Sequence, residues 1–205
     1  MKKGQLSRIN ILQVAIDLFS EKGYHDTSTQ EIADKCGISQ TTIFYHFKNK
    51  KTLFGEILNY VISNNRNIFE QLKQDKDDPY DCLVTLIRAN IKWCMEYPEQ
   101  TKIILLLFNF SASDDDFKML ATKTIDKGRS LILIQLDKLQ EHNKIKSHLS
   151  IFELSVIIQQ YVNGVLFQLL VRTDRELTFK TFESVMNVFL QTVLGIRLDE
   201  EVLST

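Results

Sequence analysis

Apolar residues recur at intervals of three and four along most of the chain, which is the spacing of amphipathic α-helices. The first stripe consists of Ile9, Leu12, Ala15, Ile16 and Phe19. Gly23 follows the last turn of this stripe, where a left-handed residue commonly ends a helix. Only seven Gly and two Pro occur in 205 residues, few of the breaks that a many-stranded protein needs. The pattern predicts an all-α fold.

Two short helices are predicted directly after the first. Ser28 lies three residues before Glu31, the spacing of a capping box in which each side chain binds the other residue's backbone N–H. The second helix therefore begins at Thr29. Its buried residues are expected to be Ile32, Ala33 and Cys36. Gly37 ends it and Ser39 can cap a third helix, which indicates a helix-turn-helix, although an ordinary corner between two core helices gives the same signals.

The third helix, residues 40–47, has two different faces when its residues are placed about 100° apart. The side expected to pack on the first two helices holds Ile43, Phe44 and Phe47. The opposite side, which has no carboxylate, holds Thr41, Thr42, Tyr45 and His46. Hydroxyl, phenol and imidazole groups can contact base edges and phosphates in a DNA major groove. We interpret this face as a DNA-reading surface, because a merely solvated face more usually carries Glu and Lys.

The start of the fourth helix points to the same partner. Asn49 can cap this helix, and Lys50 and Lys51 lie in its first turn, where they oppose the helix dipole. A DNA phosphate shared between these lysines and the free N–H groups reverses that penalty. Residues 1–51 carry eight Lys and Arg against five Asp and Glu, net +3, whereas residues 52–205 carry 17 against 21, net −4. A basic head on an acidic body suggests that the head meets a polyanion.

These segments together resemble the TetR family of bacterial transcriptional regulators. The similar stretches are ILQVAIDLFSEKGY at residues 11–24, TSTQEIA at 27–33 and GISQTTIFYHFKNKKTL at 37–53. The resemblance covers about the first quarter of the chain with the family's spacing throughout. It implies a three-helix DNA-binding head whose third helix enters the major groove.

The resemblance also implies which residues contact DNA. They are Thr29, Gln30, Gln40, Thr41, Thr42, Tyr45, His46 and Lys50. Many family members have Tyr at the position of Phe44, so a phosphate-directed hydroxyl is missing there and Tyr45 is expected to take more of that role. Gln40 falls on the buried side of the helical wheel, so its base contact requires it to reach out from the first turn.

The rest of the chain is expected to be helical as well. Helical periodicity runs over residues 53–72, a polar break follows at 74–79, and a fifth helix covers 81–96 before Tyr97-Pro98. Residues 101–110 are strongly apolar. Ser113 and the acidic residues 114–116 indicate the capped start of a long helix that reaches about residue 141; binding of a cation is the alternative use of these carboxylates.

Two late helices, residues 152–171 and 179–194, predict a dimer. The first is apolar on nearly every face and must be buried on all sides, with one side against its own domain and the other against a second subunit. Gly164 permits close approach. The predicted interface residues are Ile158, Tyr161, Val165, Phe182, Met186 and Phe189. Pairing with their symmetry mates gives a four-helix dimer interface, so residues 52–205 form the ligand-binding and dimerisation domain behind the DNA-binding domain of residues 1–51.

A ligand pocket is the least specified part of the sequence. Its candidate lining residues are Trp93, Met95, Phe108, Phe110, Met119 and Phe167. For any single one of them, an ordinary core position is the favoured alternative. Few charged residues fall within the apolar faces, so a lipophilic or amphipathic effector is expected rather than a sugar or a metal ion. No cofactor is expected.

An enzyme is the first competing interpretation. The sequence contains no GxSxG, HExxH or Gly-rich phosphate loop, and its four His show no metal-ligand or Cys–His spacing. Three cysteines, Cys36, Cys82 and Cys94, occur without a CxxC pair or a secretory leader, and no apolar run is predicted to span a bilayer. We therefore expect a cytoplasmic protein that is not an enzyme.

The function predicted from the sequence is a dimeric repressor. Two recognition helices about one DNA turn apart read a palindromic operator. A small effector releases the DNA if it binds the spread and the DNA-ready arrangements of the dimer with different affinity. The fourth helix, which joins head and body, transmits the change. The alternative is an architectural or protein-partner-controlled DNA-binding protein on the same fold.

Overall fold

The computed structural model describes residues 3–74 and 78–196, and this part of the chain is all-helical. Its helices are α1 (Lys3–Lys22), α2 (Thr29–Cys36), α3 (Gln40–His46), α4 (Lys50–Leu72), α5 (Pro79–Glu96), α6 (Pro98–Ser111), α7 (Asp115–Glu141), α8 (Ile151–Val171) and α9 (Arg175–Leu194). The predicted all-α fold is confirmed. The predicted break at residues 74–79 falls between α4 and α5, with residues 75–77 outside the described part.

The helix ends of the first fifty residues follow the predicted capping signals. Gly23 and Gly37 have φ values of 89° and 65°, the left-handed conformation that glycine adopts without steric cost. Ser28 and Ser39 each accept a hydrogen bond from a backbone N–H in the next turn, at 3.0 and 3.2 Å. The starts of α2 and α3 are therefore confirmed.

The capping box of α2 is only half formed. The Glu31 carboxylate pairs with the Lys22 ammonium group, and this hydrogen bond is the largest influence that lowers the pKa of Glu31. The complete box occurs instead at α8, where Ser150 and Glu153 cap each other's backbone N–H groups. Cys36, expected in the core, is half-buried at the C-terminal end of α2.

The chain divides into two compact units. The first contains the residues up to Asn64 and Tyr97–Thr124, and the second contains Asn65–Glu96 and the residues from Ile125 onward. The predicted boundary between residues 51 and 52 does not coincide with this division, because α4 begins in the first unit and continues into the second. The assignment of ligand binding and dimerisation to residues 52–205 stays a prediction.

The second unit is closed by a contact between the loop before α8 and the end of α9. The backbone N–H groups of Lys146 and Ser147 both donate to the Leu194 carbonyl, at 2.9 and 3.0 Å. Gly195 ends α9 with a φ of 70°, and a Cβ atom built on it lies 2.7 Å from the Ser147 nitrogen. Position 195 therefore requires glycine for two reasons: the backbone is left-handed there, and the Ser147 backbone leaves no room for a Cβ atom.

Replacing Gly195 with alanine is expected to lower the free energy of unfolding by about 2 kcal/mol or more, because the left-handed backbone and the close backbone contact are both penalised. A shift in Tm of about 4–8 °C corresponds to this change for a chain of this size. Thermal unfolding followed by circular dichroism measures it. Gly55→Ala is the matched control, since a Cβ atom at Gly55 lies an ordinary 3.7 Å from the Leu120 side chain. Equal Tm values for Gly195→Ala and the wild type would contradict the prediction.

Helix α8 is less enclosed by its own chain than its composition suggests. Phe152, Phe167 and Val171 are each at least half exposed, so one subunit leaves part of α8 uncovered, and its burial against a second subunit stays a prediction. By length and apolar composition alone α8 could also cross a membrane, although 39% of its most apolar window is buried inside the protein. Its buried side includes Gln159, whose amide donates to the Ile125 carbonyl and accepts from Arg129.

Candidate nucleic-acid interface

Helices α2 and α3 are fixed against each other by buried apolar side chains and one polar contact. Ile32 of α2 and Ile43 of α3 are fully buried, as is Phe47 just after α3. At the start of α3 the Gln40 amide donates a 2.8 Å hydrogen bond to the Thr29 hydroxyl. This bond joins the first turns of the two helices and sets the position of both predicted DNA-contacting residues.

The outward face of α3 is uncharged and rich in aromatic rings. Tyr45 is 84% exposed, Thr41 is exposed, and Phe44 is 46% exposed. The placement of Phe44 corrects the predicted packing: Ile43 and Phe47 define the core direction, and Phe44 lies far enough around the helix to emerge at its edge. No Asp or Glu occurs from Lys35 to Gly55, so this face meets a polyanion without repulsion.

The other predicted contact residues lie around this face and are partly engaged. The Gln30 amide donates to Asp34 at 2.7 Å, and the Thr42 hydroxyl lies 2.9 Å from that of Ser39. His46 is half-buried, with its ring edge-on to Tyr45 at a centroid distance of 5.2 Å. Their contacts with DNA stay predictions.

Lys50 is held in place at the start of α4. The Asn49 side chain accepts the Thr52 backbone N–H at 2.8 Å, which confirms the predicted cap. The Lys50 ammonium group lies 4.4 Å from the centroid of the Tyr24 ring and donates to the His25 carbonyl at 3.3 Å. Partial burial lowers the pKa of Lys50. A cation positioned by a ring and a carbonyl is prepared to bind a phosphate.

Lys51 has a different partner from the one predicted. Its ammonium group binds Asp116 at 2.8 Å and Asp114 at 3.3 Å and lies over the Phe117 ring. Lys51 is therefore bound to the start of α7, and a phosphate contact of Lys50 stays a prediction. Asp114 also accepts the backbone N–H groups of Asp116 and Phe117, so the predicted cap of α7 is present.

Asp114 makes stability depend on pH. Its hydrogen bond from the Phe117 N–H, followed by its bond to Lys51, lowers the pKa of Asp114 in the folded chain. A carboxyl group whose pKa is lowered by folding stabilises the folded chain at pH values above the ordinary carboxyl pKa. This stabilisation is lost as the pH falls through the pKa of the folded state. Asp114→Asn is therefore expected to flatten the decline in the free energy of unfolding between about pH 5 and pH 3, measured by urea unfolding.

Asp115→Asn is the matched control for this prediction, because it removes the same charge one residue away while the cap and the Lys51 contact remain. If Asp114→Asn and the wild type lose stability equally as the pH falls, the proposed role of the Asp114 carboxylate is wrong.

An aromatic cluster packs behind Lys50 and Lys51. The Tyr24 ring lies within 5.5 Å, centroid to centroid, of Phe54, Phe110 and Phe117. Phe110 was predicted to line a ligand pocket. The structure places its ring in this aromatic cluster, and its role in a pocket stays a prediction. Sequence reasoning did not find the cluster, since its members come from the α1–α2 loop, α4, α6 and α7 and share no periodic pattern.

The remaining predicted pocket residues occur in both compact units. Trp93 is buried, Met95 and Phe108 are half-buried, and Met119 and Phe167 are exposed. Their joint role as a pocket stays a prediction. Within residues 3–74 and 78–196, no group of three or more His, Cys, Asp or Glu side chains is placed to hold a metal ion.

The predicted dimer-interface residues differ in their burial. Ile158, Val165 and Met186 are fully buried within the single chain, and their place in an interface stays a prediction. Tyr161 stacks on Phe189 at 4.1 Å and donates to the Phe182 carbonyl at 3.3 Å. These residues join α8 to α9 within one subunit. The surface of the two helices is formed by other apolar residues: Phe167, Val171, Val185 and Val188.

A helix-turn-helix with an uncharged, exposed recognition face defines a DNA-binding fold of the type that places one helix in the major groove. Comparison with known proteins gives the family. The family model described as "Bacterial regulatory proteins, tetR family" matches residues 11–57. The regulator YvkB of Bacillus subtilis is 45% identical over 65 residues, which are 32% of this chain and 34% of YvkB. Residues 11–57 therefore match the model of the TetR family, and the chain is similar to regulators that carry the same helix-turn-helix.

Solved structures extend the similarity to nearly the whole chain, at the level of fold. Salmonella enterica GusR superposes with a TM-score of 0.78 at 17% identity and covers 95% of this chain and 98% of its own. FadR from Bacillus subtilis, solved in complex with stearoyl-CoA, superposes with a TM-score of 0.75 at 16% identity. This superposition covers 93% of this chain and 99% of FadR. In sequence, the chain spans between 29% and 58% of the length of the curated relatives it matches first.

Proposed function

We propose that this chain is a cytoplasmic transcriptional repressor that binds a palindromic operator as a dimer and is released by a small lipophilic effector. The observation that carries the proposal is the outward face of α3 with its neighbour Lys50. Tyr45 projects into solvent, no carboxylate occurs between Lys35 and Gly55, and Lys50 is positioned by Tyr24 and His25. Such a surface supplies one positioned cation for phosphates and polar side chains for base edges.

The proposed dimer rests on the surface formed by α8 and α9. Phe167, Val171, Val185 and Val188 are exposed on these two helices, and single subunits rarely leave such a set of large apolar side chains in water. Gly164 lies on the exposed side of α8, and a Cβ atom there meets no described atom within 4 Å. A glycine in an exposed helix costs about 1 kcal/mol relative to alanine, which a close helix–helix approach across a two-fold axis would offset.

The proposed effector is lipophilic or amphipathic. Structures of the same fold were solved with stearoyl-CoA in FadR and with choline in a regulator from Saccharomonospora viridis. In this chain Phe167 lies on the proposed dimer surface, and the other predicted pocket residues are aromatic or sulfur-containing. An effector acts only if it binds the DNA-free arrangement of the dimer more tightly than the DNA-bound one. We therefore expect stearoyl-CoA to displace DNA more effectively than choline.

Selection from a randomised duplex library tests the proposal. The wild-type chain is expected to enrich one sequence with two-fold symmetry, and Tyr45→Ala, which removes the most exposed side chain of α3, is expected to abolish the enrichment while dimer mass and Tm stay unchanged. Enrichment of no sequence, with uniform binding to all duplexes, contradicts the proposal and favours an architectural DNA-binding protein.

A further inference from the structure

The exposed face of α3 lacks the side chains that usually read guanine. Arginine is absent from residue 9 to residue 65, and bidentate Arg or Lys contacts are the commonest way to recognise guanine in the major groove. Neither Arg nor Lys occurs from residue 36 to residue 47. The Gln40 amide, the other candidate for a bidentate base contact, already uses one N–H to donate to Thr29. Another kind of contact is therefore needed for the rest of this face.

Phe44 offers such a contact. Its ring is 46% exposed even though Ile43 and Phe47 beside it are fully buried, so it emerges at the edge of the helix. Thr41 lies three residues earlier, and residues at this spacing are neighbours on a helix surface. The ring of Phe44 and the methyl group of Thr41 can thus form one apolar patch on a face that is otherwise polar.

The major groove presents one apolar group on its base edges, the 5-methyl group of thymine. An aromatic ring that loses water on entering the groove is stabilised only where it meets such a group, because polar base edges would lose hydrogen bonds to it. We propose that Phe44, with Thr41, reads the 5-methyl group of a thymine in each half-site, so that this chain specifies an A·T pair at that position. The inference rests on the proposed function and names the base chemistry that the same surface recognises.

The test removes the methyl group from the DNA and leaves the protein unchanged. The duplex enriched by the wild-type chain is remade with deoxyuridine in place of each thymine in turn, symmetrically in both half-sites, and the Kd is measured by fluorescence anisotropy. At one position we expect the affinity to fall about fifteenfold, or about fourfold per half-site, the factor that corresponds to burying one methyl-sized group. Deoxyuridine at the other thymines is expected to leave the affinity near that of the parent duplex.

Variants of Phe44 then assign the effect. With Phe44→Ala the same deoxyuridine substitution is expected to have no effect, whereas Phe44→Leu, which keeps an apolar contact, retains the penalty. If every deoxyuridine duplex binds the wild type as tightly as its parent, or if Phe44→Ala keeps the full penalty, the inference is wrong although sequence-specific binding stands. If no duplex is enriched at all, the proposed function fails and this inference fails with it.

Discussion

Lys50→Ala is expected to weaken operator binding by about a hundredfold to ten-thousandfold, since each of the two subunits loses one charge-assisted phosphate contact worth about 1.5–3 kcal/mol. The effect is expected to be large because Lys50 is already ordered: its ammonium group lies over Tyr24 and donates to the His25 carbonyl. Little side-chain entropy is lost when a phosphate replaces water there. Binding isotherms of the enriched duplex at several salt concentrations measure both affinity and its salt dependence.

The salt dependence separates a phosphate contact from a structural role. The slope of log K against log [salt] is expected to become shallower by about two, one phosphate for each subunit. Lys92→Ala, which removes an exposed lysine of α5 paired with Glu96, is the matched control and should leave the slope unchanged. Lys51→Ala should also leave it nearly unchanged, because Lys51 is bound to Asp114 and Asp116. An unchanged slope for Lys50→Ala contradicts the assignment.

Val188→Asp is expected to convert the dimer to monomers at micromolar concentration. Val188 is exposed on α9, and in the proposed four-helix interface a carboxylate at this position is buried without a partner in both subunits. The penalty for an unpaired buried charge amounts to several kcal/mol, which raises the dimer Kd on the order of a thousandfold. Sedimentation equilibrium measures the change in mass, and operator affinity should fall with it because a monomer engages one half-site.

Ile134→Asp provides the matched control. Ile134 is similarly exposed but lies on α7, outside the α8–α9 surface, so the same change of chemistry should leave the dimer intact. A dimeric Val188→Asp variant, with a Tm equal to that of the wild type, would show that the subunits associate through another surface.

Features that depend on neighbouring residues could be predicted from the sequence. Ser28, Ser39 and Asn49 each accept a backbone N–H from the following turn, as their spacing predicted. The left-handed conformation of Gly23 was predicted from its position after the last turn of α1, and Gly37 was predicted to end α2. Caps and helix ends are determined within three or four residues, so one sequence contains most of the information about them.

Features that depend on distant residues could not be predicted. Lys51 binds Asp114, 63 positions away, and no local pattern distinguishes it from Lys50. Helical periodicity did show that α8 is apolar, but it could not tell which side faces α9 and which faces water. It therefore could not distinguish Ile158 and Val165, which are buried within the chain, from Phe167 and Val171, which are exposed.

Phe44 shows a third limit. An apolar residue at the edge of a helix face is assigned to the core by its type, although its burial depends on how far the neighbouring helices extend. In this structure it emerges beside Tyr45, and its exposure is what gives the recognition face an apolar part.

Hydroxyl-radical footprinting of the enriched duplex tests the central claim, that two copies of α3 read a palindrome, most directly. The account predicts two protected patches on one side of the DNA, related by two-fold symmetry and separated by about one helical turn, roughly 34–36 Å. Both patches should disappear together with Lys50→Ala at concentrations that saturate the wild type. A single unsymmetrical patch, or protection spread evenly along the duplex, would contradict the claim.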